Sequence, residues 1–167
     1  VMKNFVGADN PFASGRVGNP QLFVSEVDES DGSIALYRPT IGVLLNVSLD
    51  HKSIEELREL FGDYVAVSGC AAINFDNEEA RAMTPRAHQY VSFGVHAENA
   101  DLTVEAGSIA HTQLGIGAAV IDTRSREVFA LNLPMPGEHN LSNALAAIAA
   151  VSAAGVEVKA AVEALRD

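Results

Sequence analysis

The stretch Pro136-Gly137-Glu138-His139-Asn140-Leu141-Ser142-Asn143 puts three side chains able to contact a polyanion at the start of an alanine-rich run. Glycine frees the backbone at a turn, and Asn140 and Asn143 stand one helical turn apart on one face. A helix mouth with free N–H groups suits a nucleotide or a phosphate. The plainer assignment makes Asn140 an N-cap for the run Leu141–Ile148. Two further motifs lie upstream. Glu26-Val27-Asp28-Glu29-Ser30-Asp31 closes one apolar run, and Asn46-Val47-Ser48-Leu49-Asp50-His51 closes the next. If those runs are neighbouring strands, Glu26 and His51 face one crevice. A carboxylate and an imidazole beside a phosphate chain suit Mg2+, with water and phosphate oxygens completing the shell. The plainer readings are a solvated acidic loop for Glu26–Asp31, and an interaction of Asp50-His51 with the next helix's N-terminus. His88, His96 and His111 have no partners in sequence and read as structural. Gly115-Ile116-Gly117 is a weak glycine signal, and no GxxxxGK[ST] phosphate loop occurs in the chain.

These residues need a scaffold, and the hydrophobic pattern supplies one. Gln21–Glu26 and Pro39–Val47 read as continuous apolar strands of the kind covered on both faces. Ser53-Ile54-Glu55-Glu56 is a capping box, followed by Ile54, Leu57, Leu60, Phe61, Tyr64 and Val65 at helical spacing. Strand Ala71–Phe75, a short helix over Asn77–Met83 and strand His88–Gly94 continue the alternation. It points to an open α/β sheet, mostly parallel and flanked by helices, with ligands bound beyond the C-terminal strand ends. From Asp101 the pattern changes to short alternating strands, Asp101–Glu105, Gly115–Asp122 and Glu127–Leu133, with a hairpin turn at Thr123–Arg126. A small appended antiparallel sheet is expected there. Helices over Asn140–Ala154 and Val158–Leu165 end the chain. The expected division is one domain over 1–167, with its main α/β part at about 20–96 and 137–167. The antiparallel part falls at about 100–134.

Composition bounds the partners. The chain has 167 residues, is 48% hydrophobic and carries a net charge of -11, so one core is affordable. That charge argues against nucleic acid or an anionic membrane surface as the main partner. No apolar run reads as a membrane span. Cys70, the single cysteine, sits among small apolar residues and reads as a core filler in a reducing, cytoplasmic setting.

In this order and spacing the three motifs, E-x-D-E-S-D, N-x-x-x-D-H and G-x-H-N-x-x-N, resemble the central domain of the Mur ligases, the ATP-dependent amino-acid ligases of peptidoglycan synthesis. The resemblance covers Leu22 through Arg166. The sequence Asp28-Glu29-Ser30-Asp31 is most similar to the alanine-adding branch, which joins L-alanine to UDP-N-acetylmuramate through an acyl phosphate. By that resemblance Glu26 and His51 are catalytic, metal-binding positions for Mg2+. His139, Asn140 and Asn143 contact ATP, and Asn46 lies near the metal. The family's D-H-x-D stands here as Asp50-His51-Lys52-Ser53, without its second acid. The resemblance further implies that the phosphate loop and the domains for the UDP-sugar and the amino acid lie outside this chain. It would then be an inactive fragment whose exposed sheet edge invites self-association. The alternatives are a non-catalytic binding or structural module with the same fold, or another ligase of the superfamily, such as a murein-peptide recycling ligase or a folylpolyglutamate synthetase.

Overall fold

The computed structural model describes residues 19, 21–30, 32–48 and 53–165. The strands are β1 (Ile41–Leu44), β2 (Cys70–Asn74), β3 (Tyr90–Phe93), β4 (Leu102–Val104), β5 (Ala110–His111), β6 (Ile116–Asp122) and β7 (Glu127–Leu133). The helices are α1 (Ile54–Val67), α2 (Glu78–Arg81), α3 (Glu138–Ala153) and α4 (Val158–Ala164). The fold is mixed α/β. β1, β2, β3 and β4 run parallel, β4 pairs antiparallel with β6, and β6 pairs antiparallel with β7. β5 shares an edge of β6 with β4, pairing Ala110 with Gly117 and His111 with Ile116. The antiparallel strands thus extend the parallel ones edge-on in a single sheet.

The two-residue period of the strands sorts side chains onto two cores. Ala71 and Ile73 of β2 face α1 and α2 with Leu44, Leu57, Val65 and Met83. Ala72 faces the other way, into a larger core of Phe93, Leu102, Val120, Leu131 and the helices α3 and α4. With both faces covered, the parallel strands take nearly unbroken apolar runs. α3 crosses the sheet on its alanines. Leu141, Leu145 and Ile148 are at most 1% exposed, each burial being worth roughly 1.5–3 kcal/mol relative to exposure. The capping box holds as expected: Glu56 N–H donates to Ser53 Oγ at 3.2 Å, and Ser53 N–H to Glu56 Oε2 at 2.9 Å. The β6–β7 hairpin also holds, turning through residues 123–126 with Arg126 in the left-handed region at φ 64. β3 and β4 pair at one position only, and a side-chain clasp reinforces them: Ser92 N–H and Oγ–H both donate to Asp101 Oδ2 at 2.7 Å.

One expected strand does not form. Gln21–Glu26 is irregular, and Leu22, Phe23 and Val24 are 75%, 88% and 94% exposed. A strand exists only as part of a ladder, and among the described residues β1 is an edge strand that pairs with β2 alone. β5 is the converse case, a strand of two residues that no periodicity could reveal.

Candidate functional site at the carboxyl end of the sheet

The C-terminal ends of β1, β2 and β3 meet the loop from β7 into α3. β6 runs the other way, so its first residue, Ile116, lies at this same end between His111 and Leu133. Five residues beyond Leu133, Glu138 opens α3. Gly137 is the N-cap residue, with φ 101, and no side chain caps the helix. An added Cβ on Gly137 would stand 2.6 Å from His139 Cε1, so the imidazole lies folded back over the glycine. Only glycine combines that positive φ with that contact.

The structure sets aside the plainer assignment of Asn140 as an N-cap. α3 begins at Glu138, not at Asn140, so Asn140 is not the N-cap. Its Nδ2–H instead donates to Pro136 O at 2.7 Å, bracing the loop that delivers the helix. His139 and Asn143 are exposed at the mouth and Asn140 is half-buried. Asn140 N–H donates to Gly137 O at 3.0 Å, and the first turn of α3 keeps, without a side-chain cap, the positive dipole end that attracts anions.

On the β1 side, Asn46 is exposed and its neighbours are pinned. Asn74, buried at the end of β2, donates from Nδ2 to Leu45 O at 2.8 Å, while Val47 N–H donates to Asn77 Oδ1 at 3.2 Å. Asn77 Oδ1 also caps α2 by accepting from Ala80 N–H at 2.8 Å. Asp76 reaches across to the loop after β3, accepting from Val95 N–H at 2.6 Å and His96 N–H at 3.0 Å. Asn74, Asp76 and Asn77 went unnoticed in the sequence. The signal was a run of three polar side chains in four residues directly after an apolar strand.

His96 and His111, without partners in sequence, share one in space. His96 Nε2 stands 3.0 Å from Glu138 Oε2, and His111 Nε2 stands 3.8 Å from Glu138 Oε1. They lie 42 and 27 residues from Glu138 in sequence, so only the sheet brings them together. Glu26 is exposed in its irregular segment. His51 lies outside the described residues, as do Asp31, Leu49, Asp50 and Lys52. Burial pushes the Cys70 thiol above its ordinary value, against a nucleophilic role. A surface cavity of about 470 Å³ opens at the opposite end of the sheet between Asp122, Arg124, Glu127, Gly155 and Lys159. There burial pushes the Asp122 carboxyl up, but the hydrogen bonds from Arg124 outweigh it and hold the group below the usual carboxylate range. That cavity carries an internal ion pair and none of the candidate residues. Volume alone does not make it the site.

Comparison with known proteins gives the family. Residues 3–151 match the family model of the Mur ligase middle domain. A UDP-N-acetylmuramate--L-alanine ligase from Nostoc punctiforme is 34% identical over 147 residues, which is 85% of this chain and 29% of that relative. Among solved structures, MurF from Acinetobacter baumannii superposes with a TM-score of 0.69 at 22% identity, over 82% of this chain and 30% of that one. MurF ligase from Thermotoga maritima, solved in complex with ADP, gives a TM-score of 0.60 at 22% identity, over 74% and 30%. The chain spans about a third of the length of the relatives it matches. It belongs to the Mur ligase middle-domain family.

Proposed function

We propose that this chain is the nucleotide-binding part of an ATP-dependent, ADP-forming ligase of peptidoglycan synthesis, joining L-alanine to UDP-N-acetylmuramate in the cytoplasm. The observation that carries the reading is the uncapped N-terminus of α3, presenting His139, Asn140 and Asn143 beside the C-terminal ends of parallel strands. Its N–H groups and dipole would hold phosphate oxygens, with Asn143 and His139 orienting the nucleotide from the exposed face. By the family resemblance Glu26 and His51 are the metal-side pair, and Asn46, whose neighbours Leu45 and Val47 are held by hydrogen bonds, belongs near the metal. A carboxylate and an imidazole, completed by water and phosphate oxygens, fit Mg2+ by chemistry. When bound, Mg2+ supplies charge stabilisation to the transferring phosphoryl group. The alanine-adding assignment is supported by Asp28-Glu29-Ser30-Asp31 and by the names of the relatives.

The 167-residue chain has no GxxxxGK[ST] loop, so by itself it would bind ATP weakly and turn nothing over. Its exposed Leu22–Val24 and the edge of β1 favour self-association. The test is ADP release by the complete ligase carrying this domain. Release should require both UDP-N-acetylmuramate and L-alanine, with D-glutamate and free murein tripeptide inactive. Release supported by the tripeptide instead would move the protein to peptide recycling. Wild-type enzyme with no amino-acid-dependent release under any pairing would leave a non-catalytic module.

A further inference from the structure

We propose that Glu138 is a positioning residue for the nucleotide end of the site, clasped between His96 and His111. The inference rests on the nucleotide reading above and assigns it a supporting part. A carboxylate accepts and cannot donate, so the ring nitrogen 3.0 Å from Glu138 Oε2 is a donor, which fixes His96 with its proton on Nε2. His111 Nε2 at 3.8 Å is at ion-pair rather than hydrogen-bond distance, on the carboxylate's other oxygen. Glu138 is the first residue of α3, so holding its side chain from two sides fixes the direction in which the helix mouth opens.

The clasp does not end at His96. Asp76 holds the backbone of Val95 and His96, Asn74 Oδ1 accepts from Asp76 N–H at 3.0 Å, and Asn74 Nδ2 donates to Leu45 O. A continuous series of hydrogen bonds thus joins the residue preceding Asn46 to the residue preceding His139. It spans the loops after β1, β2 and β3 and ends on α3. Gly94 is required in this path, because an added Cβ would stand 2.7 Å from Asp76 Oδ1. The His96 and Glu138 side chains are 69% and 44% exposed, so the clasp acts on geometry more than on stability.

The test uses the 167-residue chain and the variants Glu138→Ala, His96→Ala, their double and Glu138→Gln. Each alanine variant should weaken Mg-ATP binding about three- to fivefold, with the melting temperature nearly unchanged. The double variant should be no worse than Glu138→Ala alone, because that substitution already removes the His96 contact. Glu138→Gln, which keeps an acceptor for His96, should bind as wild type does. In parallel, amide exchange at His139–Leu141 should quicken in His96→Ala and at least as much in Glu138→Ala, with the double matching Glu138→Ala. Additive losses, or none, would overturn the clasp. If wild-type chain shows no ATP binding at any concentration, the nucleotide reading falls. The exchange pattern then decides separately whether Glu138 positions the mouth of α3.

Discussion

Replacing His51 by alanine in a ligase carrying this domain is expected to cut Mg2+-dependent ATP turnover by about 10²–10³-fold. That is the loss typical of removing one group that stabilises charge in a transition state. The fold should survive, because the Ser53–Glu56 capping box that starts α1 is left intact. Stability should stay within about 0.5 kcal/mol of wild type. Glu26→Gln should show the same split between turnover and stability. Steady-state kinetics alongside thermal unfolding separate the two quantities. Near-normal turnover in either variant would remove that residue from the metal side of the site.

Phe93→Ala is expected to be the most damaging single truncation in the core, at about 3–5 kcal/mol. Phe93 is fully buried, sits at the end of β3, and pairs with Asn74 on one side and Leu102 on the other. Removing its ring leaves a cavity beneath the loop that carries Val95 and His96. For a domain of this size the loss corresponds to roughly 6–20 °C in melting temperature. Chemical denaturation should show the lower midpoint with an unchanged slope. A cost below about 1 kcal/mol would mean that the larger core does not close around β3 as described.

Much of this architecture was legible because it follows from local rules. The Ser53-x-x-Glu56 box, the helical stripe from Ile54 to Val65 and the alternation of β6 each state their structure in one short window. The same holds for the hairpin at residues 123–126. The failures have a common physical cause. Leu22-Phe23-Val24 has the composition of a buried strand, but burial is decided by a partner, and composition does not say whether one is in reach. Asn140 looks like a cap, yet the positive φ of Gly137 lets the helix start two residues earlier and turns the asparagine back onto Pro136. His96 and His111 looked solitary because their carboxylate is brought to them by β-sheet register. Asn74, Asp76 and Asn77 were overlooked for a related reason: their importance lies in which loops they join. The motif residues at the mouth of α3 could be read from sequence, whereas the hydrogen bonds that join the loops around them could not.

The central claim is that the mouth of α3 is the nucleotide site, and the most direct measurement is a titration of the isotopically labelled 167-residue chain with Mg-ATP, followed amide by amide. The account predicts shifts at Glu138–Asn143 and at the adjoining Gly94–His96 loop. Half-saturation should fall in the millimolar range, about -4 kcal/mol, because the chain has no phosphate loop to hold the triphosphate. Shifts gathered around Asp122, Arg124 and Lys159 at the far end of the sheet, or micromolar affinity with a silent α3 mouth, would contradict it.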